Sequence, residues 1–261
     1  MNYTPMFKRY LTKFALRLIV FLVVLFIYIT QYDHFLNIIQ GPIAFGVSPY
    51  HIFWICLMGI MFFHLFPTKT QTTAMRKRLA ETYKEQPGFN REKLQAYIKE
   101  KNRGAIRVLI AWLLFNALWV VLFFNGIIGA KEIILITSFY FCSDFICYLF
   151  YCPFGLIIMD SKCCVNCRIY DWGHFMMFSV SWMMFDFFGV TLTLMGIAVL
   201  LRWEYTVAKH PEYMWEGSNR ILQCRNCQDQ TCQAKKRVVS YLPRFLHPYR
   251  SYPRPKKAAK Q

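Results

Sequence analysis

The sequence predicts an all-α, polytopic helical membrane protein with four or five spans. One of these is a candidate re-entrant segment, and a cytoplasmic helical loop and a basic tail complete the chain. Three observations carry this. Of the 261 residues, 56% are hydrophobic and 18% aromatic, well above the usage of an ordinary soluble domain. Charged residues are only 17% of the chain, and they are segregated from the apolar stretches. Several of those stretches approach or exceed the ~20 apolar residues that an α-helix needs to cross a bilayer.

The first span covers roughly 14–30. The basic start at Lys8, Arg9, Lys13 and Arg17 suits the cytoplasmic side. No small-x-small cleavage site follows, so the run reads as a retained span rather than a signal peptide. The second span, roughly 43–66, completes a first unit of residues 1–66. A polar unit, 67–104, reads as two short helices. Thr72 or Thr73 can cap the first and "QPG" at 86–88 stops it; Asn90 can cap the second and Gly104 can end it. The unit 105–203 holds three apolar stretches, roughly 105–125, 131–159 and 174–201. The unit 204–261 is a basic, cysteine-containing tail.

The formal net charge of +17 fits basic flanks lying on anionic headgroups, so the expected partner is the lipid bilayer and not nucleic acid. The basic residues also set a puzzle. Segment 67–107 holds eleven Lys and Arg, and the chain from 202 onward holds thirteen. Three crossings between them would put the tail on the outer side, against the positive-inside rule. Either the rule fails for the tail or one stretch does not cross. Non-helical backbone at depth is permitted only where protein or water covers it. Pro153–Gly155 and Gly189–Gly196 are the candidate bends.

Six cysteines fall in two short polar loops. Cys163, Cys164 and Cys167 lie in "DSKCCVNC", and Cys224, Cys227 and Cys232 in "CRNCQDQTC". Two C-x2-C pairs could supply four thiolates to a zinc ion or an iron–sulfur cluster, with Cys163 and Cys232 as spare ligands. They can share a site only if both loops reach the same face. Disulfides on an oxidising face and plain reduced thiols are the alternatives. Cys56 and Cys142 read as small buried hydrophobes. His174, seven residues after Cys167, is a candidate nitrogen ligand.

The segment from Tyr151 to Cys167, "YCPFGLIIMDSKCCVNC", resembles a stretch of membrane-bound polyferredoxin-type iron–sulfur subunits. In those proteins "CPFG", here Cys152, Pro153, Phe154 and Gly155, ends a span and a cysteine run follows. The resemblance implies electron transfer with a quinone or another redox partner. The C-x2-C-x2-C-x3-C-P run that holds paired clusters is not in this chain.

Asp144 and Asp186 fall near the middle of apolar stretches, where an ionised carboxylate is expensive unless paired. Thr137, Tyr140, Asp144, Cys147 and Tyr151 form one polar stripe at helical spacing. Ser179, Trp182, Asp186, Gly189 and Thr193 form another. The two stripes predict an intramembrane polar pocket holding Asp144, Asp186, Tyr140 and Ser179. Asp171 can cap the fifth stretch, Trp172 suits the interface, and Met176, Met177, Met183 and Met184 read as core rather than copper ligands.

No nucleophile elbow, phosphate loop, H-E-x-x-H or kinase signature is present. Three functions stay open: a juxtamembrane cysteine metal centre in membrane redox chemistry, a non-catalytic scaffold or sensor with structural zinc, and a small proton-coupled transporter. The expected location is the plasma (cytoplasmic) membrane of a bacterium.

Overall fold

The computed structural model describes residues 5–43, 46–66, 80–161, 163–164, 166–226, 232 and 235. Its helices are α1 (Pro5–Thr30), α2 (Phe35–Gln40), α3 (Pro49–Leu65), α4 (Arg91–Phe124), α5 (Ala130–Leu149), α6 (Gly173–Phe178) and α7 (Phe187–Lys209). No strand occurs among the described residues. Four helices, α1, α4, α5 and α7, are long and apolar enough to cross a membrane. α3 is shorter, and its 17 residues rise about 25 Å. Leu16, Phe26, Phe63 and Leu114 point outward from these helices, as lipid allows and water does not.

Local signals explain the helix starts. The Asn90 side chain accepts hydrogen bonds from the Glu92 and Lys93 amides at 2.7 and 3.2 Å, capping α4 as expected. Glu132 reaches back to the Gly129 amide at 2.7 Å and closes the start of α5. Pro49 stands at the first position of α3, behind Ser48 and its capping partner His51. Gly104 does not end a helix. α4 runs straight through it, because the missing side chain lets Met159 approach: a Cβ there would stand 2.8 Å from the Met159 sulfur. The first of the two expected loop helices lies mostly outside the described residues.

α1 packs antiparallel along α5. Tyr10 meets Tyr148 at the basic end, Phe21 meets Phe139 midway, and the Tyr28 hydroxyl donates to Glu132 at the far end. α3 lies beside α7, with Trp54 Nε1 donating to Thr191 at 2.9 Å. The expected fourth stretch is two pieces. α5 stops at Leu149, and a single π turn, Phe154–Ile158, follows Pro153, which cannot continue the ladder of hydrogen bonds.

The fifth stretch is where the expectation fails. It is not one helix. The chain forms a 3-10 turn at Tyr170–Trp172, then α6, then a second 3-10 turn at Ser181–Met184. Phe185 adopts a left-handed conformation (φ 52°), unfavourable for a bulky residue, and reverses the direction. The arm 173–186 and α7 run antiparallel. Thr193 Oγ1 donates to the Phe178 carbonyl at 2.7 Å, and Trp203 Nε1 to the Arg168 carbonyl at 2.7 Å. Gly189 and Gly196 sit against the carbonyls of Ser181 and His174. Small residues on one helix face are how membrane helices achieve such close approach.

This hairpin resolves the charge puzzle. Phe185 packs on Phe123 and Phe124, at the end of α4 farthest from the basic face. α7 then returns the chain to where it left. Beyond α7, the Ser218 carbonyl accepts from the Gln86 amide, and the Arg220 amide donates to the Lys84 carbonyl. The start of the tail therefore shares a face with the basic loop, as the positive-inside rule requires. The turn lies at 179–186, between the two bends the sequence suggests.

Candidate functional site: a thiol-lined intramembrane cavity

A cavity of about 500 Å³ opens between α4, α5 and the 150–177 segment. Trp112, Phe115, Phe139 and Tyr140 form its apolar walls. Asp144, Cys147, Cys152, Cys164 and Cys167 lie toward its basic-face end. α5 contributes Asp144 and Cys147 one turn apart, which places both on one helix face. Cys152 and Cys164 arrive from the loop that follows α5.

Asp144 is paired, by a residue whose role the sequence alone does not reveal. Arg17 of α1 donates to Asp144 Oδ2 at 2.7 Å and to the Phe141 carbonyl at 2.9 Å. Its guanidinium lies 4.2 Å and 4.3 Å from the ring centroids of Phe141 and Phe145, a cation–π arrangement. Arg17 reads in sequence as one of the flanking charges, yet it stands inside the apolar run 14–30. An intramembrane arginine is itself a signal for a partner. Gly173 makes room for the carboxylate: a Cβ there would stand 2.6 Å from Asp144 Oδ1.

Asp186 is not in this site. It caps α7, accepting from the Gly189 amide at 2.5 Å, so its carboxylate belongs to the hairpin turn. Of the predicted four-residue pocket, Tyr140 and Asp144 both line the cavity, whereas Asp186 does not. Tyr140 and Ser179 do come together, through Asn116. Ser179 Oγ donates to Asn116 Oδ1 at 3.0 Å, the Tyr140 hydroxyl does so at 3.5 Å, and Trp119 Nε1 donates to Tyr140 at 2.8 Å. Thr137 and Ser181 also meet, at 3.3 Å. The two stripes face each other in part, but the bonds between them are packing contacts of modest strength.

The cysteine loops lie on one face. Asn166 Nδ2 donates to the Leu222 carbonyl at 3.3 Å, and Cys163 packs on Leu222. Lys235 Nζ is 3.0 Å from both the Cys164 sulfur and the Cys147 carbonyl. Cys224 is exposed and Cys232 half-buried; Cys227 lies outside the described residues. Among the described residues, no three His, Cys, Asp or Glu side chains converge in an arrangement that could hold a metal ion. Burial pushes the Cys164 thiol up, an effect the neighbouring Lys235 ammonium opposes. A hydrogen bond with Cys147, joined by burial, pushes Cys152 well up. Cys142 is buried as expected, whereas Cys56 is exposed on α3.

A polar collar fixes the cysteine loop. Arg168 grips Glu204 of α7 with two guanidinium nitrogens and donates through Nε to Asn102 of α4 at 3.0 Å. Trp172 Nε1 adds a bond to Glu204 at 2.8 Å. Trp172 and Asp171 are thus buried beneath the collar, not an interface anchor and a helix cap. His174 bonds across to His64 of α3 at 2.8 Å, and His64 Nδ1 stands 4.0 Å from Asp171. Met177 and Met183 are core. Replacing Arg168 by lysine will keep the charge but lose the two-pronged grip. We expect a loss of about 1–2 kcal/mol, read as a lower midpoint in detergent thermal unfolding. An unchanged midpoint would show that the collar does not hold the loop.

No family model, curated protein or solved structure matches this chain.

Proposed function

We propose that this integral membrane protein is a redox protein of a bacterial cytoplasmic membrane. Its juxtamembrane cysteines on the basic face would hold an iron–sulfur centre, which when bound would supply one-electron chemistry to a quinone-like ring in the cavity. One observation carries the reading: cysteines gather at one end of an apolar, aromatic-walled cavity that also presents Asp144, the partner of Arg17. Such a cavity suits a lipophilic ring with a few polar groups. The resemblance of Tyr151–Cys167 to iron–sulfur subunits points the same way. The candidate ligands are Cys163, Cys164, Cys167, Cys224, Cys227 and Cys232.

A second reading is favoured by the common face of the two cysteine loops. A structural zinc ion there would staple the tail to the bundle of a non-catalytic scaffold or sensor. The transporter reading loses its basis, because Asp144 and Asp186 sit apart and serve an ion pair and a helix cap.

Elemental analysis and an absorption spectrum of protein purified without oxygen separate these readings. Iron with matching sulfide, and a visible band that responds to an added quinone, is the result expected for redox function. Zinc near one per chain, with no visible band, supports the scaffold. Metal-free protein whose thiols stay reduced when a quinone is added overturns the redox reading.

A further inference from the structure

Lysine is almost never buried unless paired, yet Lys235 is 6% exposed. It sits in a basic run, "KKR", where the ordinary expectation is a solvated side chain. Instead its Nζ contacts one backbone carbonyl, that of Cys147, and one sulfur, that of Cys164, each at 3.0 Å. The carbonyl fixes the direction of the amine. The sulfur is the nearest reactive group it meets. Cys164 in turn faces the cavity, which gives a small oxidant a route to a thiol that Lys235 contacts from the other side. The other nearby thiol, Cys152, accepts from the Gly155 amide at 3.2 Å.

We propose that Cys164 and Lys235 form an oxidisable pair: a peroxide converts the Cys164 thiol to a sulfenic acid, and Lys235 Nζ captures it as a sulfur–nitrogen bond that fastens the tail to the bundle. Sulfenic acids condense with a neighbouring thiol or nitrogen in this way. In the first step the sulfur gives two electrons to hydrogen peroxide; the thiol becomes S–OH and one water leaves. In the second step the ammonium loses a proton to solvent, the amine nitrogen attacks sulfur, and hydroxide leaves with an amine proton as a second water. The sum is thiol plus ammonium plus peroxide giving the S–N link, two waters and one proton. A dithiol reverses it, taking up the oxidation as its own disulfide and restoring thiol and amine. The site is thus a reversible redox latch between the end of α5, the cysteine loop and the tail. It requires neither a metal nor a quinone, and it uses Cys164 as a free thiol, so a chain with the latch closed holds any metal through the other cysteines.

The test treats the full-length purified protein with a small excess of hydrogen peroxide, alkylates remaining thiols, digests it and maps the peptides by mass spectrometry. The expected product joins the Cys164 and Lys235 peptides, is lighter by two hydrogens than their sum, and disappears on dithiothreitol treatment. The same pair carrying one extra oxygen would be the same latch after a second oxidation, and also supports it. Lys235→Arg, which keeps the charge, and Cys164→Ser should each abolish the product. A Cys164–Cys152 disulfide, or Cys164 passing to sulfinic acid with Lys235 unmodified, overturns the proposal. These outcomes are read on the wild-type chain and do not depend on either variant folding.

Discussion

Replacing Arg17 by methionine will destabilise the protein strongly, more than the loss of the Arg168 grip. The substitution leaves Asp144 with no guanidinium beside it, among Phe141, Phe145 and Met177. Asp144 is only half-buried in the bundle, but an unpaired charge within a membrane span still costs about 2.5–3.5 kcal/mol. Asp144→Asn should cost less, since an amide oxygen can still accept from Arg17. The double variant Arg17→Met/Asp144→Leu should recover most of the loss, because it removes both charges together and leaves neither unpaired in the membrane. Thermal unfolding in detergent, with the monodisperse fraction as a second readout, checks the series. The pair is not a structural tie if Arg17→Met unfolds at the wild-type temperature. It is more than a tie if the double variant folds normally and the redox response of the cysteines is lost.

How much is legible in the sequence depends on whether the signal is local. Apolar runs, the Asn90 cap and the buried Met177 and Met183 follow from composition and spacing, so the all-helical membrane class is readable. The hairpin is not. Hydropathy averages over windows, and the run from Phe175 to Leu200 looks like one span because both of its arms are apolar. The clue is Asp186, a carboxylate three residues before Gly189 at the head of an apolar run. That is a helix-start signal, and it is masked when the residue is taken for an intramembrane charge. The charge puzzle is the correct symptom of this error. Its cure is one crossing more, not one fewer. Arg17 escapes notice when every basic residue near a span is treated as a flank. Lys235 carries no local signal: only the fold brings it to Cys164. The same holds for His64 and His174, which lie 110 positions apart and meet at 2.8 Å.

The hairpin itself makes the second strong prediction. In a helix interior, Gly→Ala ordinarily gains up to about 1 kcal/mol. A Cβ added at Gly59 of α3 would have nothing within 4 Å, so Gly59→Ala should be neutral or stabilising. Gly189 is different. A Cβ there would stand 2.3 Å from the Ser181 carbonyl and 2.9 Å from Asp186 Oδ1. Neither is the free end of a flexible side chain: the first is backbone, and the second is held as the cap of α7. The arm must therefore move as a body, and overpacking of this kind costs about 1–3 kcal/mol. Gly189→Ala should lower the unfolding midpoint while Gly59→Ala does not, and two equal midpoints would show that the arm does not pack this closely on α7. The topology has its own readout. A membrane-impermeant maleimide should label the exposed Cys224 from the side that carries the 80–91 loop and never from the other. Labelling from the opposite side would mean that the 173–186 arm does not carry the chain across and back, and the two cysteine loops would then be separated by the bilayer.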